Sequence, residues 1–279
     1  MTFYMRHSHA EISRAVSQSL ETFLRAVGAD ALGLYADEAG DWQLLDDTGW
    51  SVIRDRLNHP RRSYAKLTDT SDVEDRYRFT YEGRWLDPSF LETEPDATSA
   101  VSFWLPTEYL EEHGPERVRN MAIEIASALP FCSGNAGLSF NCDLGLMGVA
   151  REVRKLWMRY PGMDLPLLHW NSLRMGSRVR GPSWLTFLGQ PVLGELGGTV
   201  GLQARLRSPR TTVQALEGNR GVVTLGAWPE AGDTQQGQIL PEYRELAHVL
   251  EPWLFRPPPT HGENLPPDEF LRWERRFLE

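Results

Sequence analysis

A short pattern of apolar residues and glycine occurs twice in the chain, and it constrains the fold more than any other feature. The two copies run from Leu105 to Gly114 and from Leu188 to Gly197. Each copy follows a predicted buried strand, contains a predicted short helix, and closes with glycine before a second predicted helix begins. The identical positions are Leu105 and Leu188, Leu110 and Leu193, Glu112 and Glu195, and Gly114 and Gly197. We therefore expect two related α+β halves.

Hydrophobic periodicity predicts alternating helices and strands along the whole chain. The fold class that we expect is α+β, with mixed or antiparallel sheets and packed helices in one compact unit. The spacing of apolar residues predicts helices over 10–28, 48–58 (with Thr48 as N-cap), 115–131, 147–162 and 240–253. Alternation and short apolar runs predict strands over 2–9, 31–37, 77–85, 97–105, 135–141 and 181–189, and a hairpin over 212–226 that turns at Gly218 and Asn219.

Composition divides the chain into three predicted parts. Residues 1–145 form an acidic α+β half, and residues 146–256 form a second α+β half. Residues 257–279 contain a proline-rich linker followed by a short helix. We expect this helix to dock back onto the protein through Phe270, Trp273 and Phe277.

The charge of the chain is unevenly distributed. The formal net charge is −9, and residues 1–150 contain 13 arginine and lysine residues against 24 aspartate and glutamate residues. Residues 151–279 contain 16 basic and 14 acidic residues, so the first part has a net charge of −11 and the second a net charge of +2. An acidic half disfavours direct binding of nucleic acid, because phosphates require cations. It suits a basic protein partner instead.

Three predicted loops of the first half concentrate the acidic residues. Residues 91–96 contain three of them, and two earlier loops contain nine. These nine are Asp37, Glu38, Asp41, Asp46 and Asp47 in the first loop, and Asp69, Asp72, Glu74 and Asp75 in the second. Paired carboxylates can serve acid/base or magnesium chemistry, but no glycine-rich or basic segment accompanies these. Each loop taken singly is typical of a solvated surface. Together they predict a negative face that can dock a cationic protein quickly.

A cluster of glutamates and one histidine offers an enzymatic alternative. Glu108, Glu111, Glu112 and His113 lie within six residues, and such a group can bind a metal or form an acid/base pair. The second copy of the repeat has no counterpart of Glu108, Glu111 or His113, which favours a structural role for the cluster. We then expect His113 and Gly114 to end a helix. His7 and His9 would share one face of the first strand, but no third ligand lies nearby in the sequence.

Other signatures of chemistry or of export are missing from the sequence. The nucleotide-binding, nucleophile-elbow and zinc-protease motifs do not occur, so we expect no cofactor and no metal. Two cysteines, Cys132 and Cys142, are too few for a disulfide framework and indicate packed thiols in a reducing compartment. The first residues, MTFYMRHSHAE, contain no apolar stretch of signal-peptide length, and no apolar segment is long enough to span a membrane. We expect a cytoplasmic protein with no membrane partner.

A series of longer sequence segments is similar to segments of one bacterial protein family. The segments are, in this order, SFWLPTEYLEEHGPERV, LPF-SG-AGLSFN, REV, RYPG, WLTFLG-PVL-ELGG, GAWPEAGD and YRELAHVLEPW. They are similar to the family with a domain of unknown function whose members are described as type VI immunity proteins. The resemblance extends from about residue 30 to the C-terminal RWERRFL.

The resemblance implies a role for the chain. Members of this family are encoded beside antibacterial toxins that type VI secretion delivers, often nucleases, and they bind the toxin in the cytoplasm. The family brings no catalytic or binding residues with it. We expect the acidic residues of the two loops to face the toxin, because the substrate cleft of a nuclease is basic. The alternatives are an enzyme that uses Glu108, Glu112 and His113, or a structural component of the secretion apparatus.

Overall fold

A computed structural model describes residues 1–70, 76–258 and 265–279. The chain divides into two compact units, Met1–Phe131 (unit 1) and Cys132–Glu279 (unit 2). Both units combine helices with antiparallel strands, so the predicted α+β class is confirmed. None of the helices within the described residues is long and apolar enough to cross a membrane.

Unit 1 is an antiparallel sheet with helices on one face. Its elements in chain order are β1 (Thr2–Met5), α1 (His9–Val27), β2 (Leu34–Ala36), β3 (Trp42–Leu44), α2 (Asp47–Leu57), β4 (Ser63–Thr68), β5 (Arg78–Gly83), α3 (Pro88–Thr93), β6 (Ser99–Trp104) and α4 (Thr107–Ala128). The strand order within the described residues of this unit is β3-β2-β4-β5-β6-β1, and neighbouring strands are antiparallel.

Helix α1 covers the centre of this sheet. Ile12, Val16, Leu20 and Phe23 fall at helical spacing and are buried, as the sequence predicts. The Phe23 ring lies 5.4 Å from the ring of Phe103 on β6. At its start the Ser8 backbone nitrogen donates to the Glu11 carboxylate at 2.7 Å, and this capping contact ends the preceding strand early. The predicted strand over 2–9 is therefore too long.

Strand β4 is absent from the prediction. Its inward residues include Ser63 and Ala65, whose small side chains give little hydrophobic signal, and its outward residues are Tyr64 and Lys66. The strand nevertheless joins β2 to β5 through antiparallel ladders. Without it the sheet of unit 1 would have no connection between its edge and its centre.

Unit 2 contains a smaller antiparallel sheet and several short helices. Its elements are β7 (Ser133–Ala136), α5 (Val149–Trp157), α6 (Leu168–Ser172), β8 (Leu185–Leu188), α7 (Val192–Glu195), α8 (Gly198–Arg205), β9 (Thr211–Leu216), β10 (Arg220–Leu225), α9 (Pro241–Leu250) and α10 (Pro267–Glu274). The strand order here is β7-β8-β10-β9, among the residues that are described. The predicted hairpin is confirmed, since β9 and β10 are paired antiparallel and both Gly218 (φ 70°) and Asn219 (φ 54°) in the turn between them have positive φ.

The C-terminal segment carries three aromatic side chains, Phe270 and Trp273 on α10 and Phe277 after it. Phe270 and Trp273 lie in one buried cluster of unit 2 with Trp157, and Phe277 lies in a second buried cluster with Tyr243. All three aromatic side chains are therefore buried. The helix and the residues that follow it thus contribute to two separate clusters of the unit 2 core.

The repeated sequence pattern corresponds to a repeated local structure. After β6, the helix α4 is interrupted at Gly114, whose φ of 77° and ψ of 163° are not helical. After β8, the short helix α7 ends before Gly197 (φ 85°), and α8 follows. The predicted helix end at His113 and Gly114 is thus confirmed. The surroundings differ, because β5 precedes β6 in the chain whereas β10 follows β8.

A buried group of charges holds α10 in unit 2. The Arg180 guanidinium lies 2.8 Å from the Glu274 carboxylate and 2.9 Å from the Asp164 carboxylate. Burial raises the pKa of the Glu274 carboxyl, and the nearby guanidinium groups of Arg180 and Arg276 oppose that rise. Removing one partner of such a group leaves an uncompensated buried charge.

Gly114→Ala should destabilise the protein by about 1–3 kcal/mol, because only glycine adopts this backbone conformation without strain. No atom within 4 Å would contact the added methyl group, so any loss of stability reports the backbone alone. Gly137→Ala is the matched control, since its added methyl group would make only ordinary contacts, the nearest at 3.5 Å. Urea unfolding measures both variants, and equal midpoints for the two would contradict the assigned conformation.

Arg180→Met should destabilise unit 2 by about 3–5 kcal/mol at about pH 8, because it leaves Glu274 buried without its closest cation. The folded-state pKa of Glu274 is already raised, and the substitution raises it further. Ionisation of Glu274 therefore costs stability once the pH exceeds the unfolded value of about 4.3. The loss of stability caused by Arg180→Met should therefore be smaller at about pH 5 than at about pH 8. Arg272→Met, which removes an exposed partner of Glu279, should change stability little at either pH.

Candidate functional site

The acidic residues of the first predicted loop lie at both ends of strand β3. This strand is at the edge of the unit 1 sheet, and all three of its residues are exposed. The turn from Asp37 to Asp41 precedes it, and Asp46 and Asp47 follow it at the start of α2. The structure therefore brings all five predicted acidic residues of this loop close to one sheet edge.

Asp37 organises the turn before β3. One of its carboxylate oxygens accepts hydrogen bonds from the backbone nitrogens of Ala39 at 2.9 Å and Asp41 at 3.0 Å. The other oxygen accepts from the Gln43 side chain at 2.9 Å. The hydrogen bond from Gln43, together with those from the turn backbone, lowers the pKa of Asp37. This carboxylate is thus ionised, and it is already engaged in its own loop.

Asp46 and Asp69 have similar structural roles. Asp46 is the N-cap of α2, and its side chain accepts a hydrogen bond from the Gly49 backbone nitrogen at 2.9 Å. The predicted cap, Thr48, lies inside the helix, so that prediction is wrong. Asp69 accepts hydrogen bonds from the backbone nitrogens of Arg76 at 3.1 Å and Tyr77 at 3.3 Å.

Glu38, Asp41 and Asp47 form a different class. All three are exposed, and no side-chain hydrogen bond or ion pair involves their carboxylates in the described parts of the chain. We call these three the free carboxylates. The remaining predicted residues of the second loop, Asp72, Glu74 and Asp75, lie outside the described residues. The structure thus separates acidic residues that stabilise loops from acidic residues that are available to a partner.

The Glu/His cluster has its contacts within unit 1. Glu108 lies 3.7 Å from the Arg76 guanidinium, and the His113 ring packs edge-on against Tyr109 with 4.3 Å between ring centroids. The Tyr109 hydroxyl donates to the Ala26 carbonyl at 3.1 Å, which anchors the first part of α4 to the end of α1. Glu111 and Glu112 are exposed on this helix.

The described residues contain no group of three histidine, cysteine, aspartate or glutamate side chains that could hold a metal ion. The predicted arrangement of His7 and His9 on one strand face is wrong, because β1 ends at Met5 and His9 is the first residue of α1. His9 is buried, and its Nδ1 lies 2.9 Å from the Tyr81 hydroxyl. Of the two cysteines, Cys132 is buried and Cys142 is half-buried.

The sequence interpretation missed the exposed apolar residues beside the free carboxylates. Trp42 and Leu44 lie on β3 and are exposed, although tryptophan and leucine are usually buried. A signal was present, because acidic residues flank the short apolar segment WQLL on both sides. This combination is typical of an interface rather than of a solvated turn.

Comparisons with known proteins identify one matching family and one solved structure with a similar fold. The sequence profile of the family described as "TsiV: Type VI immunity for VRR-NUC" matches residues 15–277. Among solved structures, the chain is similar to the Pseudomonas aeruginosa T6SS protein PA0821, with a TM-score of 0.79 and 21% sequence identity. That similarity covers 99% of this chain and 82% of the other, and at this identity it shows a shared fold. A comparison with curated protein sequences gives no match.

Asp46→Ala should destabilise the protein by about 1 kcal/mol, since it removes the side chain that caps α2. Asp47→Ala, one residue away, should have a smaller effect because Asp47 contributes only its charge near the helix N-terminus. Thermal unfolding of the two variants measures the difference. A larger loss for Asp47→Ala would contradict the separation of structural from free carboxylates.

Proposed function

Because the chain belongs to the family of type VI immunity proteins for VRR-NUC, we propose that it binds and neutralises a cognate antibacterial toxin that is a nuclease. The chain covers the active or substrate-binding surface of the toxin and catalyses no reaction itself. It acts in the cytoplasm of the producing cell, where a nuclease would otherwise reach the nucleic acids of that cell. The partner is a protein, and neither nucleic acid nor membrane binds this chain.

The proposal about mechanism depends on one observation, the position of the free carboxylates. The sequence of unit 1 contains 13 basic and 23 acidic residues, a net charge of −10, whereas that of unit 2 contains 16 basic and 15 acidic residues. Glu38, Asp41 and Asp47 are exposed around one sheet edge of the acidic unit. A nuclease presents cationic side chains to the phosphates of its substrate. Carboxylates on a protein surface can bind the same side chains.

The carboxylates that accept hydrogen bonds from the backbone around β3 support the same surface indirectly. Asp37 and Asp46 accept hydrogen bonds from backbone nitrogens of their own segments and so fix the two ends of β3, beside which the free carboxylates lie. A charged surface that is already ordered loses less conformational entropy on binding than a flexible one. The proposed role of the nine predicted acidic residues is therefore divided, because some order the surface and others contact the toxin.

The direct test is co-expression of this chain with the toxin encoded beside it, followed by affinity purification and a nuclease assay. The proposal predicts a stable complex in which nuclease activity on DNA or RNA is suppressed, and recovery of that activity when the complex is dissociated. The toxin alone is the control for activity. An active toxin that co-purifies with none of this chain would refute the proposed function.

The combined variant Glu38→Lys, Asp41→Lys and Asp47→Lys should slow association with the toxin by about 10-fold or more at low salt, because the free carboxylates steer a cationic partner. The dependence of the association rate on salt should also become weaker. Stopped-flow or surface-plasmon measurements at several salt concentrations give both quantities.

The matched control for this prediction is Glu217→Lys compared with Glu38→Lys alone. Both glutamates are exposed in tight turns between antiparallel strands, but Glu217 lies in the β9–β10 turn of unit 2. Only Glu38→Lys should alter the association rate. Equal effects of the two substitutions would mean that net charge alone matters, and the assignment of the free carboxylates would be wrong.

A further inference from the structure

The unit 1 sheet has two faces, and the strand registers assign its residues to them. On one face Tyr35, Leu67, Phe79 and Phe103 are aligned across β2, β4, β5 and β6, and helices α1 and α2 cover this face. Because side chains alternate along a strand, the residues between them point to the opposite face. Leu44, Leu34, Thr68, Arg78 and Trp104 form one row across that opposite face.

The opposite face is exposed at its β3–β4 end. Trp42 is 41% exposed, Leu44 69% and Tyr64 47%, although such large side chains are usually buried. Toward β6 and β1 the same face is buried, since Ser102 and Ala100 have almost no accessible surface. We call the part that carries Trp42, Leu44 and Tyr64, with Lys66 between them, the open face.

Cationic side chains hold aromatic rings in place on this side of the sheet. The Lys66 ammonium lies 5.1 Å from the centroid of the Trp42 ring, and the Arg78 guanidinium lies 4.0 Å from the centroid of the Trp104 ring. Such cation–π contacts restrict the rings to a few orientations. An aromatic residue with little freedom left to lose is well suited to anchor a partner.

We propose that the open face is the centre of the surface that docks the toxin and that the free carboxylates form its rim. This inference rests on the proposed function. The partner is the cationic, nucleic-acid-binding surface of the nuclease, whose arginine and lysine side chains would meet Glu38, Asp41 and Asp47. The apolar stems of the same long side chains can cover Trp42, Leu44 and Tyr64.

Charge identifies the occupant of the open face. A second copy of this chain would bring the same three carboxylates and the same acidic unit, and like charges across an interface oppose association. A basic nuclease surface provides the complementary sign at the rim and side chains able to pack at the centre. An apolar and aromatic centre inside a polar rim is the usual anatomy of a specific protein interface.

The two parts of the surface should control different rate constants. Buried aromatic and aliphatic anchors determine how long a complex lasts, whereas exposed charges at the rim mainly determine how fast it forms. Removing the anchors should therefore accelerate dissociation with little change in association. Removing the rim carboxylates should do the reverse. A surface that took no part in docking would show neither effect.

The experiment measures binding of the full chain to its toxin by surface plasmon resonance. The combined variant Trp42→Ser, Leu44→Ser and Tyr64→Ser should weaken the complex at least about 100-fold, almost entirely through faster dissociation. Leu44→Lys alone should weaken it about 10-fold, and this highly exposed residue can change without disturbing the core. Thermal unfolding of every variant shows whether the fold is intact.

Trp228→Ser is the matched control, because Trp228 lies in unit 2 and its 45% exposure is close to that of Trp42. It should leave both rate constants unchanged. Folded open-face variants that bind as tightly as the natural chain would overturn the inference while the proposed function stands. The same holds if Trp228→Ser weakens binding equally, or if the natural chain alone forms a dimer that Leu44→Lys dissociates. If the natural chain binds no toxin, the proposed function and this inference fail together.

Discussion

The packing of helices α1 and α2 against one face of the unit 1 sheet is the interaction on which the rest of this structure depends. The rings of Phe23, Phe79 and Phe103 meet at its centre, with centroid separations of 5.4 Å between Phe23 and Phe103 and between Phe79 and Phe103. Since the period of a strand is two residues, fixing this face also fixes what the opposite face presents. Burial of the phenylalanines therefore places Trp42, Leu44 and Tyr64 on the opposite face, which is exposed at its β3–β4 end.

The short edge strand β3 connects this packing to the proposed function. Its backbone pairs with β2, and carboxylates bound to their own loops fix both of its ends. An exposed edge strand is prone to unwanted pairing with other chains, and short length together with flanking charge reduces that risk. The same two properties give a rigid surface with apolar residues at its centre and negative charge around it. The proposed interface thus assigns stability of the free protein and recognition of a basic partner to different carboxylates around the same strand.

Much of the fold could be predicted from the sequence, because some elements carry their own periodicity. Helix α1 has a regular apolar stripe, and the turn between β9 and β10 has glycine and asparagine at its two positions of positive φ. Strand β4 could not be found, since Ser63 and Ala65 become inward residues only when β2 and β5 lie beside them. Thr48 and Asp46 are both good N-cap residues, and only the backbone geometry shows that Asp46 caps α2.

The candidate site was predictable in composition but not in arrangement. The excess of acidic residues in the first loop is visible in the sequence, as is the family resemblance. Which carboxylates are free is not visible, because Asp37 and Asp41 differ only in the hydrogen bonds that the folded turn gives to one of them. Exposure of Trp42 depends in the same way on the position of β3 at the edge of the sheet.

Hydrogen–deuterium exchange of the chain, alone and in complex with its toxin, tests the central claim most directly. The account predicts that the toxin slows exchange in the segment from Asp37 to Asp47 and in β4, while β9 and β10 exchange as in the free protein. Protection confined to Cys132–Glu279 would contradict it, because the toxin would then bind unit 2 and the acidic sheet edge of unit 1 would have another purpose.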